Sequence, residues 1–373
     1  NEKKNFNFKP YQLHYSNANN KKIIDQCNLE ISSLKHKLPI FDRNVSSKKI
    51  LKEKIRKALI PLEQNKDFLI YLDRVRYELD VINKLNFIDY FLIISDICQF
   101  ARENKILIGP GRGSVSSSLV AYLLKITEVD PIKFNLLFER FLNPFRTSLP
   151  DIDLDIQDNR RIEIINYLID KYGQNKVALI TTFQKLQARS SIKDAARYLN
   201  YLPSQADEIS KNIPINMSLN EAYKKVVKFK AIINQSPQNQ ELFKIATKIE
   251  NLPRQIGIHA AGVVITDEPI INSVPVLLND FIQIQFSADY LENWGLTKID
   301  LLGLKNLTII QEIQDLIYLD YKKTIDLKNI PLANFKTNQL LSNGYTNGIF
   351  QLESKGMIKI LKQVQVNGID DVI

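Results

Sequence analysis

Residues 105–155 read KILIGPGRGSVSSSLVAYLLKITEVDPIKFNLLFERFLNPFRTSLPDIDLD, and this stretch decides the fold. The apolar run Ile106-Leu107-Ile108 predicts a short buried strand, Gly109-Pro110-Gly111 a break, and Ser114 to Lys125 a helix starting at the loop. Backbone N–H groups at such a helix start are unpaired and sit at the positive end of the dipole, so they favour a phosphate. Arg112 would add a forked donor and Ser114 a hydroxyl. No Gly-Lys-Ser/Thr closes the loop, so it is not a Walker A motif, and glycine-rich turns of this kind also serve geometry alone.

Downstream, Pro150-Asp151-Ile152-Asp153-Leu154-Asp155-Ile156 alternates acid and aliphatic with the period of a strand. Its three carboxylates are expected on one open face and its aliphatic side chains on a buried one. Like charges this close repel, which a structural strand accepts only with a cation nearby or as an edge strand guarded against aggregation. Following a strand, glycine loop and helix, the acids suggest magnesium beside phosphate, because a few carboxylates plus substrate phosphates are the usual ligands of that ion.

GPGRGS followed by LLFERFLNPFRTSLPDIDLD resembles the palm of the bacterial replicative DNA polymerase III alpha subunits, the family C polymerases. The resemblance continues through DNRR at Asp158 to Arg161, IHAAGVVI from Ile258, KIDLLGLKNLT from Lys298 and GIFQLESKGM from Gly348. It implies an α+β fold: a palm of the polymerase-beta-like nucleotidyltransferase type, an inserted helical thumb and the start of helical fingers. The implied division is 1–45 for the end of a PHP domain and a linker, 46–182 and 254–308 for the palm, 183–253 for the thumb and 309–373 for the fingers.

On that resemblance Asp151, Asp153 and Asp300 are the catalytic and metal-binding carboxylates of a two-magnesium centre, with Asp155 ranked below them. Arg112, Gly113 and Ser114 match the triphosphate-binding loop. Gly113 could instead serve the turn and Ser114 a helix cap. Arg140, Arg146 and Lys298 are candidate cations for the nucleotide phosphates, or structural partners of nearby acids. His259 is either a satisfied structural residue or a palm residue that contacts the nucleotide or positions Lys298. Implied partners are primer–template DNA, dNTP, and a sliding clamp and other replisome subunits reached through segments outside this chain.

The bulk properties agree with a folded nucleic-acid enzyme. The 373 residues are 45% hydrophobic, enough for two or three domains with a sizeable core. A net charge of +9 favours a polyanionic partner. Cys27 and Cys98 cannot form a disulfide framework and read as reduced thiols, which points to the cytoplasm and, for a replicative enzyme, the nucleoid. No apolar run reaches membrane-spanning length. The polar start Asn1-Glu2-Lys3-Lys4 lacks an initiator Met and an apolar signal core, so a piece of something longer is expected, one that polymerises poorly by itself. His14, His36 and His259 are too few for a histidine-rich metal site, and the first two read as surface or packing residues.

Apolar residues recur at helical spacing in ILKEKIRKALIPL, YLDRVRYELDVINKL, YFLIISDICQFARE and RIEIINYLID. The aromatics Tyr71, Tyr77, Phe87, Tyr90 and Phe91 read as core. A possible strand lies at Leu29-Glu30-Ile31-Ser32, and further strands at 177–182, AAGVVIT, FIQIQF and the segment carrying Asp300. Between 183 and 253 the pattern is helical and basic. There Lys185, Arg189, Lys193 and Arg197 recur every four residues, so on one helix they would share a face, either solvated or tracking a DNA backbone. Two rival classes remain: a non-catalytic nucleic-acid-binding module, and a template-free nucleotidyltransferase or phosphoesterase. Intact Asp151, Asp153 and Asp300 disfavour the first, and the long basic helical insertion disfavours the second.

Overall fold

The computed structural model describes residues 17–28, 38–144, 150–332 and 334–372. The readings of His14, His36, Arg146 and a strand at 29–32 fall outside the described residues. A first helix, α1 (Asn17–Gln26), precedes three helices that follow the periodic apolar segments: α2 (Ser47–Leu59), α3 (Phe68–Lys84) and α4 (Ile88–Glu103). Helix α4 is largely buried, with Phe91, Leu92, Ile94 and Ile97 shielded from solvent and its polar residues, among them Gln99 and Glu103, toward the outside. Tyr71, Phe87, Tyr90 and Phe91 are core residues as expected, whereas Tyr77 is 40% exposed and stacks edge-on against Phe138.

After the glycine loop come α5 (Leu119–Leu123), β1 (Asp153–Gln157), α6 (Arg161–Tyr172), ended at Gly173, and β2 (Val177–Lys185). Helices α7 (Ala188–Tyr198), α8 (Pro203–Lys211), α9 (Leu219–Lys225), α10 (Val227–Asn234) and α11 (Pro237–Ile249) then form a unit with its own core, including Ile192, Leu219, Phe229 and Leu242. The chain returns through β3 (Pro253–Ile265), β4 (Val276–Leu278), β5 (Ile282–Ile284) and β6 (Lys298–Leu304). It ends in α12 (Lys305–Tyr321), α13 (Phe335–Ser342) and α14 (Lys355–Val364), where Leu341, Leu361 and Val366 make a small separate cluster.

The six strands form one mixed sheet in the order β1-β6-β3-β2-β5-β4. Strands β1 and β6 run parallel with Asp153 opposite Asp300, and β3 runs antiparallel to β6 with Gly262 opposite Asp300. Alternation therefore puts Asp153, Asp155, Lys298, Asp300 and Gly262 on one face. The other face, with Leu154, Ile156, Val263, Ile299 and Leu301, joins the core that contains α4 and α6. The distal halves of β2 and β3 leave the sheet as a two-stranded ribbon, exposed from Phe183 to Lys185 and from Pro253 to Ile256, and carry the helical unit at its end.

Three local expectations change. The run 106–108 is not a full strand: it makes one antiparallel bridge, Ile108 to Ile156, because Pro110 and the flanking glycines stop the ladder. The helix expected from Ser114 to Lys125 breaks in two, a 3-10 turn over Gly113–Ser117 and then α5, with Ser118 extended between them. Lys185 closes β2 opposite Pro253, so it does not share a helix with Arg189, Lys193 and Arg197.

Candidate active site

The ligand oxygens of Asp151, Asp153 and Asp300 lie within 4.8 Å of one another. Asp151 precedes the strand proper, and its neighbour Ile152 is tied down by donating its N–H to the hydroxyl of buried Tyr90 at 3.3 Å. Register supplies the rest, since Asp153 and Asp300 are opposite residues on adjacent strands. Burial and then the charge of Asp153 push the Asp151 carboxyl above the usual carboxylate range; Asp300 adds to this and Lys298 opposes it. A half-buried carboxyl beside two further carboxylates is one whose charged form a cation would favour.

Two cations flank it. Lys298 Nζ sits 2.6 Å from Asp300 Oδ2. Burial alone would lower the pKa of Lys298, but Asp300, with Asp151 and Asp153, lifts it above the ordinary lysine value and keeps the ammonium charged. Arg112 spans two acids, 3.1 Å from Asp153 Oδ2 and 3.2 Å from Asp155 Oδ1. The second contact is Coulombic rather than an aligned hydrogen bond, so Arg112 Nε and Asp155 Oδ1 are both buried without a hydrogen-bond partner. Burial raises the pKa of Asp155, against the lowering influence of Arg112. Arg112 is thus engaged with acids rather than with the phosphate-sized loop it introduces.

Asp300 Oδ1 is buried and has no hydrogen-bond donor among the described residues. A buried carboxylate oxygen left over beside two further carboxylates, with no nitrogen or sulfur ligand, suits a hard divalent cation. The residues present therefore fit the metal.

A cleft of about 470 Å³ is lined among others by Gly113, Ser114, Ser116, Asn135 and Arg140, and it begins one residue after Arg112, which contacts Asp153. The structure brings Gly113, Ser114 and Arg140 together, while the three aspartates and Arg112 do not line this cleft. Helix capping falls to Ser118, whose hydroxyl accepts from Ala121 N–H, and not to Ser114.

His259 turns back on its own strand: its Nδ1 accepts from Gly262 N–H at 2.8 Å and from Ala261 N–H at 3.2 Å. Here the register between β2 and β3 jumps, with Leu179 opposite Val263 but Thr181 opposite Ile258, and the bulge carries β3 across to β6. A Cβ on Gly262 would stand 3.1 Å from His259 Nδ1 and 3.3 Å from Lys298 Cδ, and would run into Ile180 Cδ1. His259 and Lys298 thus flank one point that only glycine leaves clear.

The basic candidates of the helical unit have separate fates. Arg189 donates twice to the Ile213 carbonyl, at 2.8 and 2.6 Å, and Lys193 contacts Asp207 at 2.6 Å. Arg197 has a side chain 77% exposed and only a 3.6 Å contact with Asp194.

Two charged residues went unread in the sequence. Glu78 is wholly buried and Arg74 pairs with it at 2.7 Å. The signal was present: Glu78 continues the apolar stripe Tyr71, Val75, Ile82 at i, i+4, i+7 and i+11, so its carboxylate had to face the interior.

Residues 46–303 match the family model described as the bacterial DNA polymerase III alpha NTPase domain, and residues 306–373 match the finger domain of the same subunit. The chain belongs to the bacterial DNA polymerase III alpha family. The DNA polymerase III subunit alpha of Ureaplasma parvum serovar 3 is 44% identical over 98% of this chain and 38% of its own length. That of Bacillus subtilis strain 168 is 43% identical over 94% of the chain and 32% of its own length. That of Staphylococcus aureus strain MRSA252 is 42% identical over 94% and 33%. The chain therefore spans about a third of the length of these curated relatives. Its mixed sheet and helices agree with the α+β, polymerase-beta-like palm expected for the family. Among the described residues no helix is long and apolar enough to cross a membrane.

Proposed function

We propose that this chain carries the nucleotidyl-transfer centre of a DNA-directed DNA polymerase, joining dNTP to a primer 3′-hydroxyl with release of pyrophosphate during chromosome replication. The observation that carries the reading is the cluster of Asp151, Asp153 and Asp300, with Asp300 Oδ1 unsatisfied; Arg112, which contacts Asp153, leads into the cleft lined by Ser114 and Arg140. The three carboxylates would hold two magnesium ions, which when bound acidify the attacking hydroxyl and neutralise charge on the leaving group.

The residues of the chain have the following work. The Gly113–Ser117 turn and Ser114 receive the triphosphate in the cleft, and Arg140 offsets its charge. Lys298, held protonated by the acids, adds a fixed positive charge at the edge of the cluster. Arg112 orients Asp153 and screens it from Asp155. Arg146 is retained as a further candidate for phosphate charge. His259 supports the bulge that holds Gly262 against Asp300 and brings Lys298 alongside. No side-chain nucleophile is required.

The sheet and its covering helices would be the palm (46–182 and 254–308), residues 183–253 the thumb and 309–373 the start of the fingers, after the end of a PHP domain and a linker at 1–45. Primer–template DNA would lie across the ribbon and helical unit, with Lys185, Lys193 and Arg197 toward its backbone and Arg189 supporting the fold of that unit. A sliding clamp and other replisome subunits would be contacted through segments of the longer relatives, and the enzyme would work in the cytoplasm on the nucleoid.

The test is single-turnover nucleotide addition with magnesium titrated, in the presence and absence of a template strand, for the chain and for the same segment carried in a longer polymerase of the family. Template-directed, magnesium-dependent addition in the longer context is expected. Addition that ignores the template would contradict the reading.

A further inference from the structure

We propose that Arg74 is a positioning residue that sets the width of the nucleotide cleft, with buried Glu78 as the post that holds it; the inference rests on the cleft being the triphosphate site. The Arg74 guanidinium reaches both walls of the cleft. Its Nη2 donates to the Ser117 carbonyl at 3.0 Å and to the Leu136 carbonyl at 2.9 Å, one residue from each of the two segments, 113–117 and 135–137, that line the cleft. Its Nε donates to Glu78 Oε1 at 2.7 Å, and the guanidinium carbon stands 5.9 Å from the centre of the Phe138 ring.

Glu78 then fixes the rest of the first wall. Its carboxylate accepts the N–H groups of Leu119 and Val120, both at 2.9 Å, and the Ser118 hydroxyl at 2.8 Å. This is why the helix expected to begin at Ser114 starts again at Leu119: the carboxylate takes the free amides of α5 and holds Ser118 extended. The preceding turn, Gly113–Ser117, is left facing the cleft.

A wholly buried carboxylate and a guanidinium 19% exposed are an expensive way to stabilise a core, since apolar residues of the same volume do as well or better. What the pair provides that apolar packing does not is direction: each bond names the atom it ends on. A rigid planar fork serves Glu78 through Nε and both carbonyls through Nη2 in one fixed geometry, whereas a lysine ammonium, on a shorter and flexible stem, does not hold that geometry.

The experiment measures binding of inorganic triphosphate and of dNTP with magnesium to this chain, and separately binding of Mn²⁺ without nucleotide, in wild type, Arg74→Lys and Glu78→Gln. Each variant is first checked for folding by circular dichroism and thermal melting. Triphosphate and dNTP affinity should fall about tenfold or more in both variants, the scale of one lost hydrogen bond to a charged group, while Mn²⁺ affinity at the aspartates stays within about twofold of wild type. A merely structural loss would weaken both together. If neither variant folds, amide hydrogen exchange of wild type with triphosphate answers the same question, because ligand must then protect residues 113–120 and 135–138 in concert. Unchanged triphosphate affinity in a folded Arg74→Lys chain, or protection confined to one wall, overturns the inference. Absence of any triphosphate binding by wild type instead overturns the assignment of the cleft.

Discussion

Replacing Gly262 by Ala tests the packing of β3 against the acid cluster. The added methyl would collide with the terminal methyl of Ile180, a residue fully shielded from solvent, and would stand 3.3 Å from Lys298 Cδ, inside the ~3.5–4.0 Å at which carbon atoms pack. Relief requires Ile180 to leave its rotamer, at about 0.5–1.5 kcal/mol, and the Lys298 stem to move by a few tenths of an ångström. Together these give about 1–3 kcal/mol of destabilisation, the ordinary cost of an overpacked core. The displacement has a second consequence, because Lys298 Nζ is held 2.6 Å from Asp300 and Gly262 is the residue opposite Asp300. Moving the stem loosens that contact, so Mn²⁺ affinity at the cluster should change along with stability. Urea unfolding gives the first quantity and a Mn²⁺ titration followed by electron paramagnetic resonance the second. A variant within about 0.5 kcal/mol of wild type, the usual range for changes that touch nothing, would refute the close approach.

Asp155→Asn should uncouple Arg112 while leaving the three-carboxylate cluster whole. Because burial raises the folded pKa of Asp155, the native state holds that proton more tightly than the unfolded chain, and stability is lost as pH rises from the ordinary carboxylate value of about 4 through the raised one. The variant's stability relative to wild type should therefore rise with pH across that window in urea titrations; a flat difference would show that Asp155 is not strained by ionisation. Arg189→Ala should destabilise the helical unit by about 1–3 kcal/mol, as it strips the donors from the Ile213 carbonyl. Arg197→Ala should leave the melting curve nearly unchanged and reduce the salt dependence of duplex DNA binding by about one phosphate; an unaltered slope would remove Arg197 from the DNA face.

Much of the fold was legible because the signals were local. The apolar stripes of α2, α3, α4 and α6 and the alternation in 150–156 each fix an element by its own period, and the acids of one strand face must project together. The parts that were not legible depend on residues distant in sequence. The continuous period from Ser114 to Lys125 says helix, but Glu78 supplies acceptors for the amides of Leu119 and Val120 and splits it. The four-residue spacing from Lys185 to Arg197 says one helix face, but Lys185 is claimed by a ladder to Pro253, and Leu186 N–H by the Leu252 carbonyl. Likewise Arg112 reads as a phosphate donor beside its loop, while the bridge of Ile108 to Ile156 lays that loop along β1, where Asp153 and Asp155 meet it. Asp300 was legible as an acid in an apolar strand, yet its meeting with Asp153 is a matter of register, which sequence spacing does not encode.

The most direct measurement is the Mn²⁺ titration of the folded chain and of Asp300→Asn under identical conditions. The substitution keeps the shape of the side chain and removes the one carboxylate that β6 contributes to the cluster. If the three aspartates form a divalent-cation centre, affinity should drop by about tenfold or more, in line with the loss of a charged ligand from a carboxylate site, while thermal stability without metal is maintained or raised by relief of like-charge repulsion. Equal Mn²⁺ affinity in wild type and variant, at equal folding, would contradict the assignment of Asp151, Asp153 and Asp300 as the metal centre.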